Sequence, residues 1–145
     1  MNTGTKRPKA VLDTNVLISG IFWDGSPAEI IRKAERGEIS IVLYWFILDE
    51  LEEVLKRPYF EEKFGNMDNK IKEIYVKLIQ ISENPITTDG DIDVIKEDPS
   101  DNRILECAVK GGVDYLVSGD KHLLELSKYE HIEILDSKKF LEKIG

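Results

Sequence analysis

Residues 9–22 read KAVLDTNVLISGIF, and this stretch decides the fold class. The first five residues, KAVLD, have the apolar run of a strand that is buried in a parallel sheet. Thr14 and Asn15 follow as a turn or a cap, and VLISGIF then begins a short helix. A strand that passes directly into a helix is the opening unit of an α/β fold.

The same alternation of strands and helices continues along the chain. Apolar and β-branched runs predict further strands at 39–44, 92–95, 114–118 and 132–135. Helical spacing and end signals predict helices at 26–36, 49–55, 68–82, 98–110, 121–126 and 137–144. Ser26 is the predicted N-cap of the first of these, with Pro27 at its first position, and Pro58 stops the helix that Asp49 begins. The pattern predicts one three-layer α/β/α domain with a parallel sheet of about five strands and right-handed crossovers.

Length and composition fit one soluble domain. The chain has 145 residues, of which 41% are hydrophobic and 33% charged. Residues 1–8 are predicted to be a short flexible arm, without the apolar segment of a secretory signal, and residues 9–145 the domain. No apolar run approaches the ~20 residues of a membrane span. The single cysteine, Cys107, excludes an intrachain disulfide and fits the cytoplasm.

Four acidic residues carry the functional interpretation: Asp13, Glu50, Asp101 and Asp120. Each is predicted to lie just past the carboxyl end of a strand or in the first turn of the following helix. Ligands of open α/β sheets bind at that edge, so these carboxylates should meet there. Packed carboxylates repel one another and raise one another's pKa unless a cation neutralises them. The matching cation is Mg²⁺ or Mn²⁺, which prefers oxygen ligands.

Each acid also has a structural explanation when it is taken alone. Asp13 and Asp120 could cap the helices that follow them, and Asp101 could be the third-position acid of a capping box. Glu50 could be one solvated residue among several acids of its helix. Asp98, which precedes Pro99, is predicted to be a helix cap. Four independent caps need not converge on one edge of a sheet, so their convergence would favour a functional site.

Other chemistries lack their sequence signatures. The chain contains no G-x-x-x-x-G-K-[ST] phosphate loop, no G-x-G-x-x-G and no G-x-S-x-G elbow. His122 and His131 have no partner at zinc-ligand spacing. The net charge of −8 argues against a broad basic surface for nucleic acid but leaves a local site open.

Four segments together resemble the PIN domain: VLDTNVLISGIF, ILDELEEVLKRPYF, EDPSDNRILECA and DYLVSGDKHLLEL. They occur in the family's order and spacing and extend the resemblance from Lys9 to Ile144. The likeness is greatest to the prokaryotic, VapC-like toxins of toxin–antitoxin systems.

The resemblance implies an Mg²⁺- or Mn²⁺-dependent endoribonuclease that hydrolyses phosphodiester bonds. It makes Asp13, Glu50, Asp101 and Asp120 both the metal ligands and the catalytic acids, with one or two metal ions. Partners implied in the same way are single-stranded or structured RNA, an antitoxin protein and a second copy of the chain. Small polar residues beside the acids, Thr14, Asn15 and Ser118, would orient the carboxylates. Three nearby basic residues are candidates for phosphate contacts: Arg57, Arg103 and Lys121.

Two other functions remain open at the level of sequence. One is a metal-binding regulatory or interaction module that lacks hydrolytic activity. The other is a phosphotransfer receiver domain, which also has a parallel sheet with an acidic edge. A receiver needs paired acids after its first strand and a lone phosphoacceptor aspartate after the third, and Asp13 stands alone here.

Overall fold

The sheet is built outward from the KAVL segment, which lies in its interior. The computed structural model describes residues 7–86 and 99–145, and Ala10, Val11 and Leu12 are at most 1% exposed in it. The strands are β1 (Lys9–Leu12), β2 (Ser40–Tyr44), β3 (Ser82–Ile86), β4 (Tyr115–Val117), β5 (Lys128–Tyr129) and β6 (Ile132–Leu135). The helices are α1 (Thr14–Phe22), α2 (Ser26–Glu35), α3 (Trp45–Leu55), α4 (Pro58–Phe64), α5 (Asp68–Ile81), α6 (Pro99–Lys110), α7 (Lys121–Leu126) and α8 (Ser137–Ile144).

The strand order places a switch in chain direction beside β1. The sheet has the order β3-β2-β1-β4-β6-β5, and all neighbours pair in parallel except β5 with β6. The chain moves from β1 through β2 to β3 at one edge, and then crosses back to β4 on the other side of β1. Crevices at such a switch point, outside the carboxyl ends of the strands, are the usual ligand sites of α/β sheets.

The architecture is the predicted α/β class with a mainly parallel sheet, but several local predictions were wrong. Helix α3 begins at Trp45, four residues before the predicted start, because the apolar run that follows β2 continues directly as a helix. Gly25, and not Ser26, is the N-cap of α2, where its φ of 128° suits glycine alone. Pro58 was predicted to stop the helix before it, and α3 does end at Leu55, but the proline also opens a separate helix, α4, at the position where proline is tolerated best.

Two strands were absent from the sequence prediction. β3, with the sequence SENPI, contains few β-forming residues and one proline, and it forms a strand by pairing with the edge of β2. β5 is two residues long and pairs antiparallel with β6. The predicted strand at 92–95, the cap at Asp98 and residues 1–6 of the predicted arm lie outside the described residues. In the described ranges, no helix is both long and apolar enough to cross a membrane.

Two glycines allow a sharp helix end and the close packing of two helices. Gly112, with φ of 61°, ends α6 in a Schellman motif, in which the amide of Val113 donates to the carbonyl of Ala108 at 3.2 Å. Gly20 lies where α1 and α2 touch. A Cβ atom at Gly20 would come within 2.8 Å of the carbonyl oxygen of Pro27 and 2.5 Å of Cδ1 of Ile31.

Gly20→Ala is therefore expected to lower the free energy of unfolding. Overpacking typically costs about 1–3 kcal/mol, and the Pro27 carbonyl is backbone that cannot rotate away. Alanine gains only about 1 kcal/mol in helix propensity over glycine. Urea denaturation of Gly20→Ala and of Gly119→Ala, whose Cβ would meet no atom within 4 Å, measures the difference. A Gly20→Ala protein as stable as wild type would show that α1 and α2 can separate without cost.

Candidate metal and active site

The four predicted site acids lie together at the carboxyl edge of the sheet. They line one cavity of ≈ 380 Å³, which we call the acidic cavity. The lining of the acidic cavity comprises Asp13, Asn15, Glu50, Asp101 and Asp120, with Glu53, Val54 and Arg57 from the α3 side. Residues up to 107 positions apart in sequence therefore share one cavity beside the switch point between β1 and β4.

Asp13 is held at the end of β1 by its backbone and by both carboxylate oxygens. Its amide donates to the carbonyl of Val117 at 2.9 Å, which extends the pairing of β1 with β4 by one residue. Its Oδ1 accepts from the amide of Thr14 at 2.8 Å, so Asp13 is the N-cap of α1. Its Oδ2 accepts from the hydroxyl of Ser118 at 2.7 Å. The capping function proposed from the sequence is real, and it orients the carboxylate at the cavity.

Asp120 caps a helix and also lines the acidic cavity. As N-cap of α7, its Oδ1 accepts from the amides of His122 at 2.8 Å and Leu123 at 3.3 Å. Its own amide donates to the hydroxyl of Ser118 at 3.0 Å. Ser118 is fully buried and therefore bridges Asp13 and Asp120 across the end of β4.

Glu50 reaches the cavity from deeper in its helix than the sequence suggested. It is the sixth residue of α3 and not part of the first turn, because the helix begins at Trp45. One of its carboxylate oxygens, Oε1, accepts a hydrogen bond from the hydroxyl of Thr14, which is 3% exposed. Thr14 thus holds Glu50 near Asp13 by linking α3 to the start of α1.

Asp101, the fourth site acid, reaches the acidic cavity from α6. It lies in the first turn of α6, and it is 5% exposed. Helix α6 packs on both β1 and β4, which places this turn over the switch point.

Glu53 is a further acid of this cavity that was not predicted from the sequence. It lies one helical turn after Glu50 and also lines the acidic cavity. The i, i+3 spacing of these two glutamates is the signal that could have indicated it, since residues at that spacing share one helix face.

The polar and basic candidates have different environments. Asn15 is exposed and lines the acidic cavity, as does Arg57, the residue before α4. The guanidinium of Arg103 lies 4.8 Å from the ring centre of Phe46, a stacked cation–π arrangement. Lys121 is exposed and follows Asp120 in the chain. Arg57 is thus the one of the three basic candidates that the structure brings to the lining of this cavity.

Burial is the main electrostatic effect at Asp13. Desolvation raises the pKa of this carboxyl above its usual value, and the hydrogen bonds from Ser118 and Thr14 act in the opposite direction. The nearby charges of Glu50 and Asp120 raise the pKa further. The ionised form of Asp13 is therefore disfavoured in the folded protein, and a cation in the cavity would relieve that cost.

The four carboxylates are chemically suited to bind a hard divalent cation, but their present positions do not form a coordination shell. All four acids offer carboxylate oxygens, the ligands that Mg²⁺ and Mn²⁺ prefer. In residues 7–86 and 99–145, however, no three Asp, Glu, His or Cys side chains are close enough to hold a metal ion as they stand. Hydrogen bonds to Thr14 and Ser118 hold Glu50 and Asp13 in their present orientations. Side-chain rotation would be needed to form a coordination shell.

Comparison with known protein families gives one match. The family model described as the PIN domain matches residues 9–122, which include all four acids. No significant match to the chain was found among curated proteins or among solved structures.

Asp13→Asn is expected to change the pH dependence of stability. Because folding raises the pKa of Asp13, the folded protein binds the proton of this carboxyl more tightly than the unfolded chain does. The free energy of unfolding of the wild type therefore falls as the pH rises from the pKa of the unfolded state to that of the folded state. Asparagine does not ionise, so the variant does not lose stability in this way. The stability of Asp13→Asn relative to wild type should therefore increase as the pH rises from ~4 to 7.

Urea denaturation at several pH values in EDTA measures this difference between the two proteins. Asp114→Asn, at the opposite edge of the sheet, is the control because Asp114 is exposed. A difference between Asp13→Asn and wild type that does not vary with pH would contradict the electrostatic explanation.

Proposed function

Because the chain belongs to the PIN domain family, whose members are generally nucleases, we propose that it is a divalent-metal-dependent endoribonuclease. The observation that carries the proposal is the meeting of Asp13, Glu50, Asp101 and Asp120 in one cavity at the switch point of the sheet. Mg²⁺ or Mn²⁺ is the proposed cofactor, in keeping with the typical use of divalent ions by PIN domains.

The proposed substrate is RNA, single-stranded or structured, and the proposed role is that of a toxin in a cytoplasmic toxin–antitoxin system. An antitoxin protein and a second copy of the chain are the proposed protein partners. This finer assignment rests on the resemblance of the LDTN, DELEEVL, DPSDN and SGDKH segments to those toxins. It goes beyond the family match.

Asp13 and Asp101 are the proposed direct ligands, and Glu50 and Asp120 would complete the set. A divalent cation held there would activate water and stabilise the charge that develops on the phosphate. Thr14 and Ser118 hold Glu50 and Asp13 in place through their hydroxyls. These hydrogen bonds hold the two carboxylates at the acidic cavity before a cation binds, and side-chain rotation would then complete the coordination shell.

Arg57 would position the substrate. Arg57 lines the α3 side of the acidic cavity, where a phosphate of the RNA could accept hydrogen bonds from its guanidinium. The remainder of the acidic cavity is unfavourable to phosphate until its carboxylates are neutralised. Binding of RNA at this site should therefore depend on the cation as well as on Arg57.

Mg²⁺ or Mn²⁺ at millimolar concentration is expected to raise the melting temperature. A ligand that binds only the folded state stabilises it by mass action, and the cation also removes the repulsion among the carboxylates. Differential scanning fluorimetry with MgCl₂ or MnCl₂, against NaCl at equal ionic strength, measures the effect. Equal melting temperatures in all three salts would count against a cation at this site.

Asp101→Asn is expected to reduce RNA cleavage by orders of magnitude while the protein remains folded. The change preserves the shape of the side chain and removes the charge that a metal ligand needs. If Asp101 is only a helix-start acid, the cost is roughly 0.5–1 kcal/mol of stability and activity stays near normal. Cleavage of a mixed-sequence single-stranded RNA with Mg²⁺ or Mn²⁺, together with a melting curve, separates these outcomes.

Asp114→Asn is the matched control, because it removes the same charge at the opposite edge of the sheet, where Asp114 accepts from the amide of Lys9 at 3.3 Å. It should cleave RNA as wild type does. Full activity in Asp101→Asn would exclude the proposed mechanism. A wild-type protein that binds the cation but cleaves no RNA would favour the non-hydrolytic binding module.

A further inference from the structure

A second cavity of ≈ 330 Å³ adjoins the acidic cavity on the β4–β6 side of the sheet edge. We call it the serine cavity, since its walls include Ser19, Ser26 and Ser137 together with Asn15, Val16 and Pro27. These residues come from α1, from the start of α2 and from the start of α8.

The two cavities share a wall. Asn15 lines both of them. Ser118 also lines the serine cavity, and its hydroxyl donates to Oδ2 of Asp13 in the acidic cavity at 2.7 Å. Because Asn15 belongs to both linings, a molecule whose phosphate lies at the acids has the serine cavity directly beside it.

The lining of the serine cavity differs from that of its neighbour. Val16 and Pro27 contribute apolar surface, and the lining includes four serines with neutral hydroxyl groups: Ser19, Ser26, Ser118 and Ser137. Hydroxyls both donate and accept hydrogen bonds, whereas the carboxylates of the acidic cavity only accept when ionised. The ionisable residues in the lining are Asp136, which accepts from the amide of Lys139 at 2.8 Å as the cap of α8, and the exposed Lys138.

This combination suits a nucleoside. A base has apolar faces and a polar edge, and a ribose carries hydroxyls that serine can bind. Ligand pockets span about 300–1,000 Å³, so a cavity of ≈ 330 Å³ lies at the lower end and accommodates one such unit, not several.

We propose that the serine cavity is a nucleoside subsite, which binds the base and ribose next to the phosphate held at the acidic cavity. The proposal rests on the nuclease function proposed above and adds the part of the substrate that is recognised. Ser19 and Pro27 contact the nucleoside, and Asn15 lies at the junction between nucleoside and phosphate. Recognition of one nucleoside here makes cleavage sensitive to the residue beside the cut.

Ser19→Leu tests the subsite by filling it. Leucine is a good helix former and should preserve α1, while its larger side chain occupies the space of the ligand. The matched control is Ser40→Leu, because Ser40 is also half-buried and borders a cavity of ≈ 280 Å³ at the opposite edge of the sheet. Melting curves with and without Mg²⁺ show whether either variant disturbs the fold or the acidic cavity.

The first measurement is a titration of ¹⁵N-labelled protein with adenosine or uridine 5′-monophosphate in the presence of MgCl₂, followed by NMR. In wild type and in Ser40→Leu, the amides of Val16, Ser19 and Gly119 should shift, and in Ser19→Leu the corresponding shifts should be lost. Absent shifts in wild type, or equal shifts in Ser19→Leu, would overturn the subsite.

The second measurement is the cleavage of single-stranded RNA. Ser19→Leu should raise KM by about tenfold or more, a loss of ~1.4 kcal/mol in binding as leucine fills the space of the nucleoside, whereas Ser40→Leu should match wild type. An unchanged KM in Ser19→Leu would overturn the subsite while leaving the nuclease intact. Nucleotide-induced shifts in a wild type that cleaves no RNA would instead support the subsite and refute the proposed activity.

Discussion

The pairing of β1 with β4 is the constraint on which the rest of the structure depends. It joins segments more than 100 residues apart, with Leu12 opposite Val117 in register. The hydrogen bond from the amide of Asp13 to the carbonyl of Val117 continues this pairing past the end of β1. As a result, Asp13 and Ser118 lie side by side, and Asp120 follows two residues later. Without this pairing, the carboxylates would have no common location.

The same residues stabilise helix starts and form the acidic cavity. Asp13 and Asp120 satisfy backbone amides of α1 and α7, which are otherwise left without partners at a helix start. Burial raises the pKa of Asp13, as do the charges of Glu50 and Asp120, while its hydrogen bonds to Ser118 and Thr14 lower it. A carboxylate can therefore cap a helix here and also serve the proposed metal site. The cap of α1 fixes the Asp13 carboxylate in a place where its ionisation is unfavourable without a cation, as is expected of a site that binds one.

Two cavities with different chemistry meet at this edge. The acidic cavity offers charge and would interact with phosphate only through a cation or through Arg57. The serine cavity offers hydroxyls and apolar surface and is suited to a neutral group. A nucleic acid alternates charged phosphates with neutral nucleosides, so the two adjacent cavities together match one nucleotide. The net charge of −8 agrees with recognition at a local site and not over a broad basic surface.

The sequence by itself determined the features that depend on local patterns. Apolar runs indicated β1, β2, β4 and β6, and helical spacing indicated α5 and α6. An element that is buried on one or two faces has apolar residues at a regular spacing in its sequence. The positions of Asp13 and Asp120 past the ends of β1 and β4 followed from those strands and from the rule for parallel sheets, whereas Glu50 is the sixth residue of α3. Strand β3 and the separate helix α4 were not predictable in this way. SENPI becomes a strand because β2 offers an edge to pair with, and the chain turns at Pro58 to start a new helix.

The tertiary structure alone decided which side chains meet. Thr14 and Ser118 looked like small polar neighbours of the acids, but only the fold shows that Thr14 holds Glu50 and that Ser118 holds Asp13. The serine cavity likewise emerges only when α1, α2 and α8 are brought together. Local sequence patterns record which face of an element is buried. They do not record which distant residue lies opposite, since that depends on packing among elements far apart in the chain.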